Sequence, residues 1–234
     1  MTARIVITGA TDGIGACLAR DYAAAGAELL LTGRRPEKDV RPPSPTATYL
    51  RADQREPLVA AGRLLSAVQR RGWDGLDAVI LNAGMGVVGD PASDDRTVEQ
   101  IDVNLSATIA IARSLAPFVL GAGGVLCIVG SVARRGAPRF AAYAAAKAGL
   151  HGFARSLGEE WRGRAHVQIL HPGPTETGMH EKAGFDPGLA TVAFQSADRV
   201  ARGIERAVRT RRRSGGLSRF YCATAVELKP GSLA

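Results

Sequence analysis

Cysteine is scarce in this 234-residue chain: three residues, Cys17, Cys127 and Cys222, odd in number and scattered. That excludes a disulfide framework and a thiolate metal cluster, and it points to a reducing compartment, the cytoplasm. Histidine is nearly as sparse. His151, His166, His171 and His180 fall on separate elements without ligand spacing, so no metal site is expected. No uninterrupted apolar run approaches the ~20 residues that cross a bilayer. The first residues enter a strand pattern directly, without a signal-peptide layout, so neither membrane anchor nor leader is expected. Lysine is the sharpest deficit: Lys38, Lys147, Lys182 and Lys229 stand against 26 arginines in a net charge of +8. Such a skew follows from coding composition as readily as from a polyanionic partner. The densest basic run, 206–213, has little aromatic interleaving and continues a helical pattern, so no nucleic-acid partner is expected.

What is present suits a globular protein, with 46% apolar residues available for a core. One α/β domain is expected over residues 1–234, since no repeat, low-complexity tract or linker divides them. Six short apolar runs, at 4–8, 28–32, 47–52, 76–81, 124–129 and 165–170, read as buried strands. Helical spacing follows them at 16–25, 58–71, 93–120, 139–161 and 196–209. Strands alternating with helices predict a single doubly wound parallel sheet, the Rossmann arrangement, with helices on both faces. The long pattern at 93–120 is expected to break near Asp102. Asn104, a modest helix former inside it, marks a kink or a polar task.

In such a sheet ligands meet the C-terminal ends of the strands, and Gly9, Arg34, Asp53, Asn82, Ser131 and Pro172 all lie just past those ends. The first turn carries Gly9, Gly13, Ile14 and Gly15 ahead of a helix. Glycines there permit positive φ and let backbone N–H groups approach a diphosphate at the helix N-terminus. After the second strand an acidic residue would take the ribose hydroxyls of NAD, whereas Arg34 and Arg35 suit a 2′-phosphate. NADP is therefore the expected cofactor. NAD stays the alternative, because Asp12 would sit near the same ribose and repel a phosphate. Asp53 is placed to meet the adenine amine. Tyr143 and Lys147 are one helical turn apart, so an ammonium can lie beside a phenol and lower its pKa from near ~10. A phenol tuned that way exchanges protons near neutral pH.

Taken together, Thr8, Gly9, Gly13 and Gly15, then Asn82-Ala83-Gly84, Asn104, Ser131, Tyr143 with Lys147, and Pro172-Gly173 with Thr177, resemble the short-chain dehydrogenase/reductase family over residues 4–179. The resemblance implies an oxidoreductase that interconverts a ketone and a secondary alcohol by hydride transfer. Tyr143 would be general acid in reduction and base in oxidation. Lys147 would lower its pKa and bind the nicotinamide ribose, Ser131 would hydrogen-bond the carbonyl oxygen, and Asn104 would hold a water behind Lys147. Asn82, Ala83 and Gly84 would line the adenosine side, and Pro172, Gly173, Thr175 and Thr177 the nicotinamide carboxamide. Departures from the family pattern include Asp12, Ala146 and Thr175, none of which removes a catalytic group.

The resemblance further implies a loop over about 172–195 covering a small-molecule carbonyl or alcohol substrate, with Met85, Met179, Phe185, Leu189 and Phe194 as an apolar wall if it closes; His180 in that loop reads as an ordinary loop residue or as a substrate contact. A homodimer or homotetramer is expected through the Ala/Gly-faced helix bearing Tyr143 and the helix around Asn104. Arg134, Arg135 and Arg139, between Ser131 and Tyr143, read as exposed or as partners for an anionic substrate group. Two other functions share the fold: a non-redox enzyme (dehydratase, epimerase or cyclase) and a catalytically silent nucleotide-binding protein. The latter needs the glycine turn but not Tyr143. The 215–224 segment is a guess for a last strand.

Overall fold

The computed structural model describes residues 2–89, 96–176 and 194–210. Six strands, β1 Arg4–Thr8, β2 Glu28–Gly33, β3 Ala47–Arg51, β4 Ala78–Leu81, β5 Val125–Val129 and β6 His166–Leu170, form one sheet in the order β3-β2-β1-β4-β5-β6. Every adjacent pair in it is parallel. The chain moves outward from β1 to β3, then returns to place β4 on the other side of β1. That reversal opens a crevice at the C-terminal ends of β1 and β4.

Side-chain alternation along the strands builds two cores. Ile5, Ile7, Leu29, Leu31, Cys127 and Val129 point to one face, where α1 Gly13–Ala24 and α6 Ala197–Arg209 pack together and bury Leu18, Val200, Ile204 and Val208. Val6, Leu30, Val79, Leu126 and Ile128 point to the other, covered by α2 Pro57–Arg70, α4 Ala107–Gly121 and α5 Ala141–Glu160. Burial on both faces explains why the strands read as continuous apolar runs, each large side chain contributing ~1.5–3 kcal/mol. The Ser196 hydroxyl caps α6 by accepting the Arg199 N–H at 3.3 Å.

The long helical pattern breaks at Asp102, as its sequence implies. A short α3, Thr97–Ile101, passes through a π-turn at Asp102–Ser106 into α4. By length and composition the stretch Thr97–Gly121 could cross a membrane. Counting uninterrupted runs overlooks it because Glu99, Asp102 and Arg113 intervene. Its buried apolar residues, Val103, Ala107, Ile111, Ala112, Leu115 and Val119, form one stripe, as in a core helix lying on a sheet.

Two features depart from expectation. Strand β4 begins at Ala78, two residues later than the apolar run; just before it the Asp77 carboxylate accepts the Arg4 N–H at 2.8 Å. A small parallel pair, β7 Thr175–Glu176 with β8 Gln195–Ser196, joins the two ends of the expected substrate loop. Residues 177–193 and 211–234, including Thr177, Met179, His180, Phe185 and Leu189 and the guessed last strand, lie outside the described residues.

Candidate active site

A cleft of about 710 Å³ runs along the C-terminal strand ends, within the size range of small-molecule sites. Its floor is the β1–α1 turn. Gly9 has φ +66°, and a Cβ there would stand 2.7 Å from the Ala83 Cα. A Cβ on Gly15 would overlap the Gly9 carbonyl oxygen, so this glycine seats α1 against the turn and does not itself line the cleft. Gly13 and Ile14 do line it. Asp12 also borders the cleft, with its carboxylate capping α1 through the Gly13 N–H at 2.8 Å. The Thr8 hydroxyl accepts the Asn82 and Ala83 N–H groups at 3.0 and 3.1 Å, and Asn82 Nδ2 donates to the Thr8 and Gly9 carbonyls. The Asn82-Ala83-Gly84 segment is thereby stitched to the end of β1.

At one end of the cleft stand Arg34, Asp53, Gln54 and Arg55. Arg35 is not brought there. It is exposed, and its carbonyl accepts the Tyr49 hydroxyl at 3.0 Å. Arg55 grips Asp53 through Nε and Nη2, the shortest contact being 2.5 Å, and holds its carboxyl below the usual range. Gln54 is 6% exposed, and its Oε1 is buried with no hydrogen-bond partner. An orphaned acceptor facing a cleft suits a donor on a ligand.

The other end holds Ser131, Tyr143 and Lys147. Ser131 follows β5 in extended conformation, and its Oγ accepts the Ala133 N–H at 3.1 Å, capping a 3₁₀ turn at Val132–Arg135. That contact uses a lone pair and leaves the hydroxyl proton to donate. Tyr143 sits in the first turn of α5, near enough to Ser131 for its hydroxyl to pull the phenol pKa down, and edge-on to Phe140 at 6.3 Å. Lys147, 3% exposed, donates from Nζ to the Val129 carbonyl at 3.0 Å, with Nζ 5.5 Å from the centre of the Tyr143 ring.

The expected lowering of the Tyr143 pKa by Lys147 does not hold here. Burial pushes the phenol up from its ordinary value, and the Ser131 hydroxyl pulls only partly against it. The ammonium lies over the ring face and is tied to a carbonyl, and burial holds its own pKa down to about 8.

Asn104, 0% exposed, stands behind Gly84 and does not line the cleft. Its Oδ1 accepts the Met85 N–H at 3.1 Å, and its Nδ2 donates to the Met85 and Gln100 carbonyls at 2.7 and 2.8 Å. Pro172, Gly173 and Thr175 complete the wall, the Thr175 hydroxyl donating to the Gly173 carbonyl at 2.9 Å. Sequence reasoning passed over Thr11, Gln54, Arg55, Arg96 and Glu99, all of which border the cleft. The one available signal was an acid followed two residues later by an arginine, Asp53 and Arg55.

Comparisons with known proteins agree with this geometry. The family model for short chain dehydrogenases matches residues 3–187. The uncharacterized oxidoreductase YciK of Escherichia coli K12 is 32% identical over 197 residues, covering 76% of each chain. The solved structure of yciK from E. coli superposes with a TM-score of 0.81 at 26% identity, covering 95% of both chains. A structure described as a short chain dehydrogenase of Escherichia coli CFT073, complexed with NADPH, superposes with a TM-score of 0.79 at 27% identity, covering 95% of this chain and 96% of that one. With the glycine turn, the switch-point cleft and the Ser131, Tyr143 and Lys147 cluster all in place, the chain belongs to the short-chain dehydrogenase/reductase family of NAD(P)-dependent oxidoreductases.

Proposed function

We propose that the protein is an NADP-preferring oxidoreductase interconverting a ketone and a secondary alcohol, with Tyr143 as general acid and base. The observation that carries this reading is the convergence of Ser131, Tyr143 and Lys147, with Lys147 Nζ 5.5 Å from the Tyr143 ring centre, in one cleft whose other end holds Arg34. The residues present fit the cofactor. Backbone N–H groups around Gly9, Gly13 and Ile14 would meet its diphosphate. The Asp53 carboxylate would accept the adenine amine, with the buried, unpartnered Oε1 of Gln54 beside it, and the Arg34 guanidinium would meet a 2′-phosphate. Asp12 caps α1 through the Gly13 N–H, which turns one carboxylate oxygen to the helix N-terminus while its charge still borders the cleft. The similar E. coli CFT073 protein complexed with NADPH supports the same choice.

When bound, the nicotinamide supplies or accepts the hydride. The chain's own residues manage the oxygen. The Ser131 and Tyr143 hydroxyls donate to the substrate oxygen as it gains negative charge in reduction, and Tyr143 Oη then delivers its proton. In the reverse direction the Tyr143 phenolate takes the hydroxyl proton of the alcohol. Lys147 contributes a charged donor for the nicotinamide ribose. Asn104 acts at one remove, holding Met85 and the Gly84 turn beside Lys147.

The test is the absorbance of the nicotinamide band across panels of ketones and secondary alcohols. Consumption of NADPH matched to alcohol formation is expected, whereas product formation without an absorbance change would contradict the redox reading. Arg34→Ala should erase most of the NADPH preference over NADH, ~10-fold or more for one charge-assisted contact. An equal effect on both nucleotides would contradict the assignment of Arg34.

A further inference from the structure

Two histidines that the reaction itself does not use lie directly behind the donor pair. His171 follows β6, is 4% exposed, and its Nδ1 stands 3.2 Å from the Ser131 N–H. Its Nε2 lies 3.1 Å from Nδ1 of His151, with ring centroids 5.3 Å apart. A backbone N–H can only donate, so His171 Nδ1 must accept, and in a neutral imidazole the proton then sits on Nε2. From there it donates to His151 Nδ1. His151 is on α5, four residues after Lys147 and eight after Tyr143. The chain approaches this bridge closely: a Cβ on Gly130 would overlap His171 Nδ1.

We propose that His171 and His151 are positioning residues, an imidazole bridge that ties the Ser131 backbone to α5 and so sets the Ser131 hydroxyl against the Tyr143 hydroxyl. This rests on the reading of Ser131 and Tyr143 given above and extends it to two residues outside the reacting pair. Ser131 is held at three atoms: its carbonyl accepts the Arg134 N–H, its Oγ accepts the Ala133 N–H, and its N–H goes to His171. The first two contacts lie inside the 3₁₀ turn and fix only its shape. The third connects that turn to the helix carrying Tyr143 and Lys147. Charged groups around the bridge keep it in the accepting form: Arg134 on the 3₁₀ turn and Lys147 on α5 bear on His171, and Arg134 and Arg155 bear on His151. With burial, they hold His171 down to about 4, so a second proton does not reach Nδ1 in the neutral range.

A double-mutant cycle tests this. His171→Leu should lower kcat ~10-fold, the weight of one lost hydrogen bond, with cofactor affinity unchanged. His171→Asn, whose Oδ1 keeps an acceptor near the Nδ1 position, should recover kcat to within ~3-fold of wild type. In a Ser131→Ala background His171→Leu should cost less than ~2-fold, because the hydroxyl it positions is gone. Equal cost in both backgrounds would overturn the proposal while leaving Ser131 catalytic. A Ser131→Ala variant with unchanged kcat would instead overturn the reading of Ser131 itself. Should His171→Leu fail to fold, ¹⁵N NMR of the wild-type imidazoles decides: His171 protonated at Nε2 with Nδ1 accepting is expected, and a proton on Nδ1 at neutral pH would rule the bridge out.

Discussion

Lys147 is the most perturbed cation bordering the cleft. Burial lowers its pKa to about 8, so its charge is present below that pH and lost as pH rises through it. Since the proposed role needs the charged form, affinity for NADPH should weaken as pH rises from 7 to 9. Fluorescence titration should show this in wild type and not in Lys147→Met; a flat wild-type profile would contradict the role. The positions of Tyr143 and Lys147 were legible from their spacing on one helix. The direction of the phenol shift was not, because it depends on burial and on Nζ turning to the Val129 carbonyl, neither of which spacing encodes. Arg35 was read into the cleft and Arg55 left out for a related reason. Which arginine faces a ligand past a strand end is set by the local turn and its partners, here Tyr49 for Arg35 and Asp53 for Arg55.

The π-turn at Asp102–Ser106 is the element that gives Asn104 its task. The extra residue rotates Asn104 inward, where its side chain holds both polar groups of Met85 and the Gln100 carbonyl. Inserted residues of this kind inside α-helices are frequent at functional sites. Asn104→Ala removes the side-chain partner of three backbone groups, the Gln100 carbonyl buried and the two of Met85 half-buried, and should cost ~2 kcal/mol or more in a urea melt. A loss below ~1 kcal/mol would show that water or rearrangement replaces the side chain. A break near Asp102 could be anticipated from the polar residues interrupting the apolar pattern. Its π character could not, since the ladder shift is resolved by tertiary contact with Met85. The β7–β8 pair was equally invisible, because two-residue strands carry no periodicity and their pairing spans a long loop.

Across the whole molecule, the sheet order places a cleft over the β1–β4 reversal, with Arg34 and Asp53 at one end and Ser131, Tyr143 and Lys147 at the other. Strand and helix alternation made this architecture legible, because each strand is buried on both faces and each helix covers one. Stability should depend on pH through the histidine bridge. The folded pKa of His171, about 4, lies below its ordinary 6.5. The unfolded chain therefore holds the extra proton in that window, and stability is lost as pH falls from 6.5 towards 4, by on the order of 3 kcal/mol. Urea midpoints between pH 7.5 and 4.5 should fall more steeply for wild type than for His171→Asn, and equal slopes would contradict the assignment. The central claim is the acid–base role of Tyr143, and Tyr143→Phe tests it most directly, since it removes one oxygen and leaves the ring packing. NADPH binding measured by fluorescence should stay within ~3-fold of wild type while turnover of a ketone substrate drops by ~10³-fold or more. An undiminished rate in that variant would contradict the account.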